Sequence, residues 1–419
     1  MGVGDYYVEP SHDQGTPTST MRDTSISSSE GRLKVDATDK VFLLEPNQHP
    51  LVTLLTNVGK TSDGTQWKGT GMLKAPTTNP EFSWFEDYYG GRYAKISSVA
   101  SGTTGDIVLN VTGAGNESAY IFTVGDVVRN VDTGENFLVT SIESSTQIKS
   151  LSDSRSFGST AAAAISADEG LFIVGNASEE GSGARNINTT RTTKESNYTQ
   201  LFKATIGATG TEKESELYGE ADMPYQRQKK ATEHGLDIER AFWWGQKSIM
   251  TGSNGYPKRG TGGVQEFIEN SSSYVQNQGG PITAPDLNTF LREGFTYGST
   301  TKTLFAGGIV VQAINEIARG QVVTKSLDET YGMNVNKWVT PFGTINIVHN
   351  PLFVDDYAGM AFLLDMDCFK YRYMQNRDTK LYTNVQSNDL DGQIDQFVTE
   401  CGLERKQAAK CALLKGVTD

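Results

Sequence analysis

Between Tyr225 and Ser248, the residues Tyr225, Gln228, Ala231, Gly235, Ile238 and Phe242 recur at steps of three or four, the repeat of one face of an α-helix. Lys229 and Glu233 add an (i, i+4) charge pair to the same stretch. At a rise of 1.5 Å per residue, a helix over Tyr225–Ser248 is about 36 Å long, the span of a domain. Gly245 and the run "TGSNGYPKRGTGG" that begins at Thr251 mark its end. The rest of the fold has to be arranged along this rod.

The same segment raises a question of chemistry, because His234 and Asp237 stand three residues apart and can share a helix face. Lys230 lies one turn before His234 and Arg240 one turn after Asp237, so the pattern reads as a solvated charge ladder. His234 is expected to be structural. The other options are no stronger. His349 in "IVHNPLF" reads as a turn histidine ahead of Pro351. Asp365 and Asp367 in "LDMD" lack further oxygen ligands nearby and read as a turn between strands. No Gly-x-Ser-x-Gly elbow is present with partners to follow it. Gly59, Lys60 and Thr61 suggest a phosphate loop, but the glycine needed five positions before Gly59 is Leu54. Cys368, Cys401 and Cys411 are odd in number and show no CxxC spacing, which indicates neither a disulfide framework nor a zinc site. The expectation is a protein that is not an enzyme and uses no cofactor or metal.

With 37% hydrophobic residues over 419 positions the chain can bury a sizeable core in two to four structural units without staples. The formal charge of −13 argues against gripping DNA, which needs clustered Lys and Arg, yet it allows DNA as a mobile neighbour. No basic start followed by an apolar run and no stretch of about 18 apolar residues occurs, so secretion and membrane spanning are not expected.

Organisation along the chain is uneven. Residues 1–32 are polar and without period, an arm that orders only against other chains. In "PEFSWFEDYYGGRY", Phe82, Trp84, Phe85, Tyr88, Tyr89 and Tyr93 crowd together with no clean period. Such aromatics either fold back on a local core or anchor a contact with another subunit. From about Val99 to Ala177 short β-type runs alternate with Gly, Asp and Asn, and "DTGE" at Asp132–Glu135 is a hairpin signal. This block reads as a compact all-β module. Residues 189–211 are β-branched and extended. The C-terminal third alternates, with helices predicted in "APDLNTFLREGFTYG" and "GIVVQAINEIARG" and strands in "TKTLFAGG", "FGTINIVHN", "MAFLLD" and "CFKYRYM". Pattern alone points to a mixed α+β chain with a long helix and a late β return.

Five strings carry a family resemblance when taken together: "NPEFSWFEDYY", "FIVGNASEEGS", "RTTKESNYTQLFKATIGATGT", "TEHGLDIERAFWWGQKS" and "RGTGGVQEFI". In this order they resemble a lineage of tailed-bacteriophage major capsid proteins with the Hong Kong 97 (HK97-like) fold, over most of the chain from about Pro50 onward. The resemblance implies an α+β chain with an N-terminal arm at 1–50 and an extended loop at 51–98 and 177–210. An inserted small all-β domain would occupy 99–176. A peripheral domain with a spine helix would fill 211–282 and 370–419, and an axial domain 283–369. It further implies self-assembly through hexamers and pentamers into the icosahedral head shell of a tailed phage. Double-stranded DNA would lie on the inner face without sequence-specific binding, with decoration, scaffold and portal proteins as further partners and no membrane. Assembly would take place in the bacterial host cytoplasm. On this reading Phe82, Trp84, Phe85, Tyr88, Tyr89 and Tyr93 lie on the loop that reaches over an adjacent subunit, outside the chain's own core. Removal of an N-terminal scaffolding region, which some relatives undergo, is not expected here, and no string identifies a Lys–Asn crosslinking pair. The alternative is another virion or tail structural protein that docks through its β module, and third comes a hydrolase using two carboxylates.

Overall fold

The computed structural model describes residues 50–56, 74–102, 105–112, 118–215, 222–271, 273–318, 325–330 and 333–418. The polar arm and the Gly59–Thr61 stretch lie outside them. The long helix runs from Asp222 to Trp244, starting earlier and stopping sooner than its periodicity suggests. The Gly245 N–H still donates to the Ala241 carbonyl at 2.9 Å, and a side chain at Gly245 would meet the Ala241 and Thr261 carbonyl oxygens at 2.3 and 2.5 Å, so glycine is the residue that fits where the chain leaves the helix. Beyond it, the Gly- and Ser-rich run is not a loop, because Ser248–Thr251 pairs antiparallel with Pro257–Gly260.

Beside the helix, Gln200–Thr209 buries Phe202, Ala204, Ile206 and Ala208 on one face, the period of a half-buried strand. It pairs antiparallel with Gly392–Arg405, the longest strand, which is joined on its other edge by Phe369–Met374 and Lys380–Tyr382. Lys74–Thr77 extends this sheet in parallel beside Phe369–Met374. A second, mixed sheet has seven strands in the order Tyr274–Gly280, Ala412–Val417, Ala361–Leu364, Thr301–Ala306, Gly343–His349, Met333–Thr340 and Lys325–Thr330. Its inner strands are apolar runs because both faces are covered. Phe305, Val348, Phe362 and Leu413 point into the core that holds Phe242 and Trp243 of the long helix. Leu304, Ile347, Leu363 and Leu414 pack instead with Leu287 and Phe290 of the helix Ala284–Gly294 and with Val310 and Ile314 of the helix Gly308–Ala318. The first of these helices opens with a reciprocal cap between Thr283 and Asp286.

The ribbon of Glu81–Glu86 against Thr193–Tyr198 leads away to a separate seven-stranded sheet built from residues 93–176. That sheet has a core of its own, with Ile96, Leu109, Phe122, Phe137, Ile148 and Leu171 all buried. Its first strand starts at Tyr93, ahead of the composition shift near Val99. An Arg155–Glu135 pair, both side chains almost fully enclosed, ties the hairpin after Asp132 to the strandless stretch that follows Ser154. Among the described residues no helix is long and apolar enough to cross a membrane.

Candidate functional site

The aromatic stretch is divided by the pleat of one strand. In Glu81–Glu86 the side chains alternate, so Phe82, Trp84 and Glu86 turn inward while Phe85 turns out. Phe82 and Trp84 are each 7% exposed, their rings 6.2 Å apart. The Trp84 indole donates to Glu86 Oε1 at 2.8 Å, and the same oxygen accepts from the Gln407 backbone N–H at 2.9 Å. The placing of these two outside the chain's own core is therefore corrected. A period of two was present, but its third inward position is a glutamate, which hid it from a count of apolar residues. Tyr88 donates its hydroxyl to Glu86 Oε2 at 2.9 Å, and burial together with that carboxylate pushes the phenol up to about 12. Phe85 at 70% and Tyr89 at 103% are open to solvent, with Tyr88 and Tyr93 about half exposed. They sit where the ribbon meets the inserted sheet, a neck too thin to cover them.

His234 is not on the solvated ladder that the spacing suggested. Lys230–Glu233 and Arg240–Asp237 form that ladder at 2.6 and 3.2 Å, whereas His234 lies on the neighbouring, inward face and is 3% exposed. Its Nε2 lies 2.7 Å from Thr399 Oγ1, with the ring stacked on Phe397 and edge-on to Phe202. Burial lowers its pKa and outweighs the pull of Asp237, so the imidazole is held neutral in a closed pocket. A substrate has no approach to it. His349 is not a turn residue but the exposed last residue of the strand Gly343–His349, paired with Ala306, and the turn follows at Pro351. Asp365 spends its carboxylate on the backbone N–H of Ser299 at 2.9 Å and of Asp367 at 3.4 Å. All three cysteines are buried, and burial raises each thiol, Cys401 and Cys411 to about 12. Among the described residues, no cluster of three His, Cys, Asp or Glu could hold a metal.

Two buried ionisable groups went unnoticed in the sequence. Glu239 is fully buried on the long helix and accepts from the backbone N–H groups of Leu51 at 3.0 Å and Val52 at 2.7 Å and from the Trp243 indole at 2.8 Å. It thereby fixes the helix Pro50–Thr56 to the long helix by satisfying N–H groups that a helix start leaves open. Lys302 donates its ammonium to the carbonyls of Gly294, Tyr297 and Lys410 at 2.6, 2.7 and 2.6 Å, and burial lowers its pKa. Both tie distant segments together, and no sequence signal marks those ties, because the distant partners are backbone groups. The surface between the ribbon and the hairpin Ser248–Gly260 holds an open cleft of about 530 Å³ lined by Glu81, Lys194, Tyr198, Ile249 and Arg259 among others.

Comparison with known proteins bears on the same question. The sequence matches the family described as SU10 major capsid protein over residues 14–418. It is 24% identical over 357 residues to a major capsid protein of Pseudomonas phage PaMx41, an alignment that spans 78% of this chain and 84% of that protein. The capsid asymmetric unit of cyanophage A-1(L) is similar in structure, with 11% identity and a TM-score of 0.49 over 94% of this chain and 100% of that one. A structure from Microbacterium phage Oxtober96 has 10% identity and a TM-score of 0.45 over 94% and 99% of the two chains.

Proposed function

Because the chain belongs to the SU10 major capsid protein family, matched over 405 of its positions if 14–418 is counted inclusively, we propose a specific division of labour within it. It is a major capsid protein of a phage head, located in the virion, and its role is structural rather than catalytic. The tail-protein alternative gains nothing from the family match. For the parts, the HK97-like arrangement supports the following reading. Asp222–Trp244 is the spine helix of a peripheral domain at 211–282 and 370–419, and the two-faced seven-stranded sheet centres an axial domain at 283–369. Residues 51–98 and 177–210 form the extended loop, with the β domain inserted at 99–176 and the arm at 1–50. Copies associate as hexamers and pentamers around double-stranded DNA that stays mobile against an acidic inner face. Decoration, scaffold and portal proteins are further partners.

The observation that carries the contact assignment is the exposure of Phe85 and Tyr89 at the neck, on a two-stranded ribbon that is marginal by itself. Large aromatics in the open suit burial against a neighbouring copy, where each contributes roughly 2 kcal/mol or more. Phe85→Ser with Tyr89→Ser is expected to leave the melting of the unassembled chain within about 0.5 kcal/mol of wild type. Shell yield should fall sharply. Shells of undiminished yield and stability would show that these side chains take no part in the contact. Trp84 is unsuited to this test, since it is packed in its own chain.

A further inference from the structure

We propose that the exposed hairpin Ser248–Gly260 of one copy docks on the acidic loop around Leu390 of a neighbouring copy, head to tail along the long helix. This rests on the capsid reading, since it needs a shell of identical copies. The two surfaces lie at opposite ends of one frame. Near the start of the long helix Arg227 bonds Asp395 at 2.6 Å, further along His234 meets Thr399 at 2.7 Å, and past the helix end Arg405 bonds Glu266 at 3.1 Å. The strand Gly392–Arg405 therefore runs alongside the helix in the same direction. Residues 387–391 precede that strand and sit at the helix start, whereas the hairpin follows Gly245 and sits at the helix end.

The hairpin is a basic, apolar projection on an acidic protein. Ile249, Met250 and Tyr256 are 55%, 60% and 72% exposed, and a lone two-stranded hairpin has little to stabilise it. Lys258 and Arg259 lie on its second strand with Lys247 at its base, and no Asp or Glu occurs from Gln246 to Gln265 in a chain whose net charge is −13. Neither Lys258 nor Arg259 has an ion-pair partner among the described residues. The loop is its complement. Tyr382, Val385 and Leu390 are exposed at 46%, 46% and 48%, Asp389 and Asp391 flank Leu390, and residues 381–391 include no Lys or Arg. Gly210, which opens the short helix Gly210–Glu214, lies against Asp391, and this helix adds the exposed Glu212 and Glu214 with Lys213 between them, leaving the surface net acidic. Opposite charge around facing apolar side chains sets register and rejects wrong pairings. Two hairpins facing each other would oppose like charges. A contact between two different surfaces passes from copy to copy and closes when the rotation closes, as a shell requires.

Cysteine pairing reads this contact directly. The three native cysteines are buried, so an introduced surface cysteine is the one that oxidises. Chains carrying Met250→Cys and chains carrying Leu390→Cys would be co-assembled and oxidised, with wild-type particles imaged by electron microscopy alongside. A disulfide joining position 250 of one chain to position 390 of another, identified by peptide mass, is expected. Shells that form without that link, or with 250–250 pairs in its place, would overturn the docking and leave the capsid reading intact. Absence of shells from wild type both with and without an added scaffold would overturn the capsid reading, and the docking with it. Independently, Lys258→Glu with Arg259→Glu should lower shell yield about tenfold, and adding Asp389→Lys with Asp391→Lys to the same chain should restore it. Failure of the restoration would count against the docking.

Discussion

Trp243→Ala is expected to destabilise the unassembled chain by about 3–5 kcal/mol, a large share of the roughly 5–15 kcal/mol that holds a typical domain together. The indole is fully buried where the long helix meets the two-faced sheet, with Phe305, Phe353 and Phe362 at centroid distances of 5.1, 5.0 and 5.0 Å. Truncation opens a cavity among three rings that cannot collapse together. It also removes one of the three donors to Glu239. Trp243→Phe separates the two effects, since it keeps most of the ring contact and should cost only about 1–3 kcal/mol through the lost hydrogen bond. Thermal melts of both variants, compared with wild type, give the order. A Trp243→Ala chain that melts with wild type would mean that the helix and sheet do not share this core.

Glu239 adds a pH signature to the same site. Burial pushes its carboxyl from 4.5 up to about 7, although three donors favour the charged form. The folded state therefore holds the proton more tightly than the unfolded one. Its contribution to stability is complete below pH 4.5 and is lost as pH rises through about 7.

The second large effect is expected in the inserted sheet. Arg155→Ala leaves the Glu135 carboxylate enclosed without its cation, which typically costs about 3–5 kcal/mol. The guanidinium meets both carboxylate oxygens, at 2.5 and 2.6 Å, and also donates to the Ala163 carbonyl at 2.8 Å. Because the sheet has a core separate from the other two, the damage should stay local. Hydrogen exchange should show lost protection between Tyr93 and Asn176 while Asp222–Trp244 remains protected. Equal loss in both regions would show that the sheet is not an independent unit. Arg155→Met combined with Glu135→Leu should recover much of the loss, since it strands no charge. Acid acts on this site in the opposite sense to Glu239. Burial alone would raise Glu135, but Arg155 and the Ala163 and Ser156 backbone N–H groups hold it below the usual carboxylate range. Its contribution is present above the unfolded pKa and is lost as pH falls through the folded one.

How much of this was legible follows from where each signal resides. The long helix, the helix Ala284–Gly294 and the buried strands are local patterns, so spacing and end signals found them. The hairpin Ser248–Gly260 was missed because its composition is that of a helix stop, and the strand Tyr274–Gly280 because its polar residues lack alternation. His234 was misplaced because its partner, Thr399, is 165 residues away, and a charge ladder on the neighbouring face supplied a plausible local story. Phe82 and Trp84 were misread for the same reason. Their cover comes partly from Gly402, where a side chain would strike the Phe82 ring at 2.9 Å, and no spacing within the ribbon reveals so distant a partner. Function was legible through family resemblance rather than through a site, as befits a protein whose action is contact between copies.

Electron microscopy of the purified full-length chain tests the central claim most directly. Closed shells of uniform diameter, built from this chain alone or with an added scaffold, are the predicted result. A chain that stays monomeric at every concentration, with or without scaffold, or that forms only open tubes, would contradict its assignment as the subunit of a phage head.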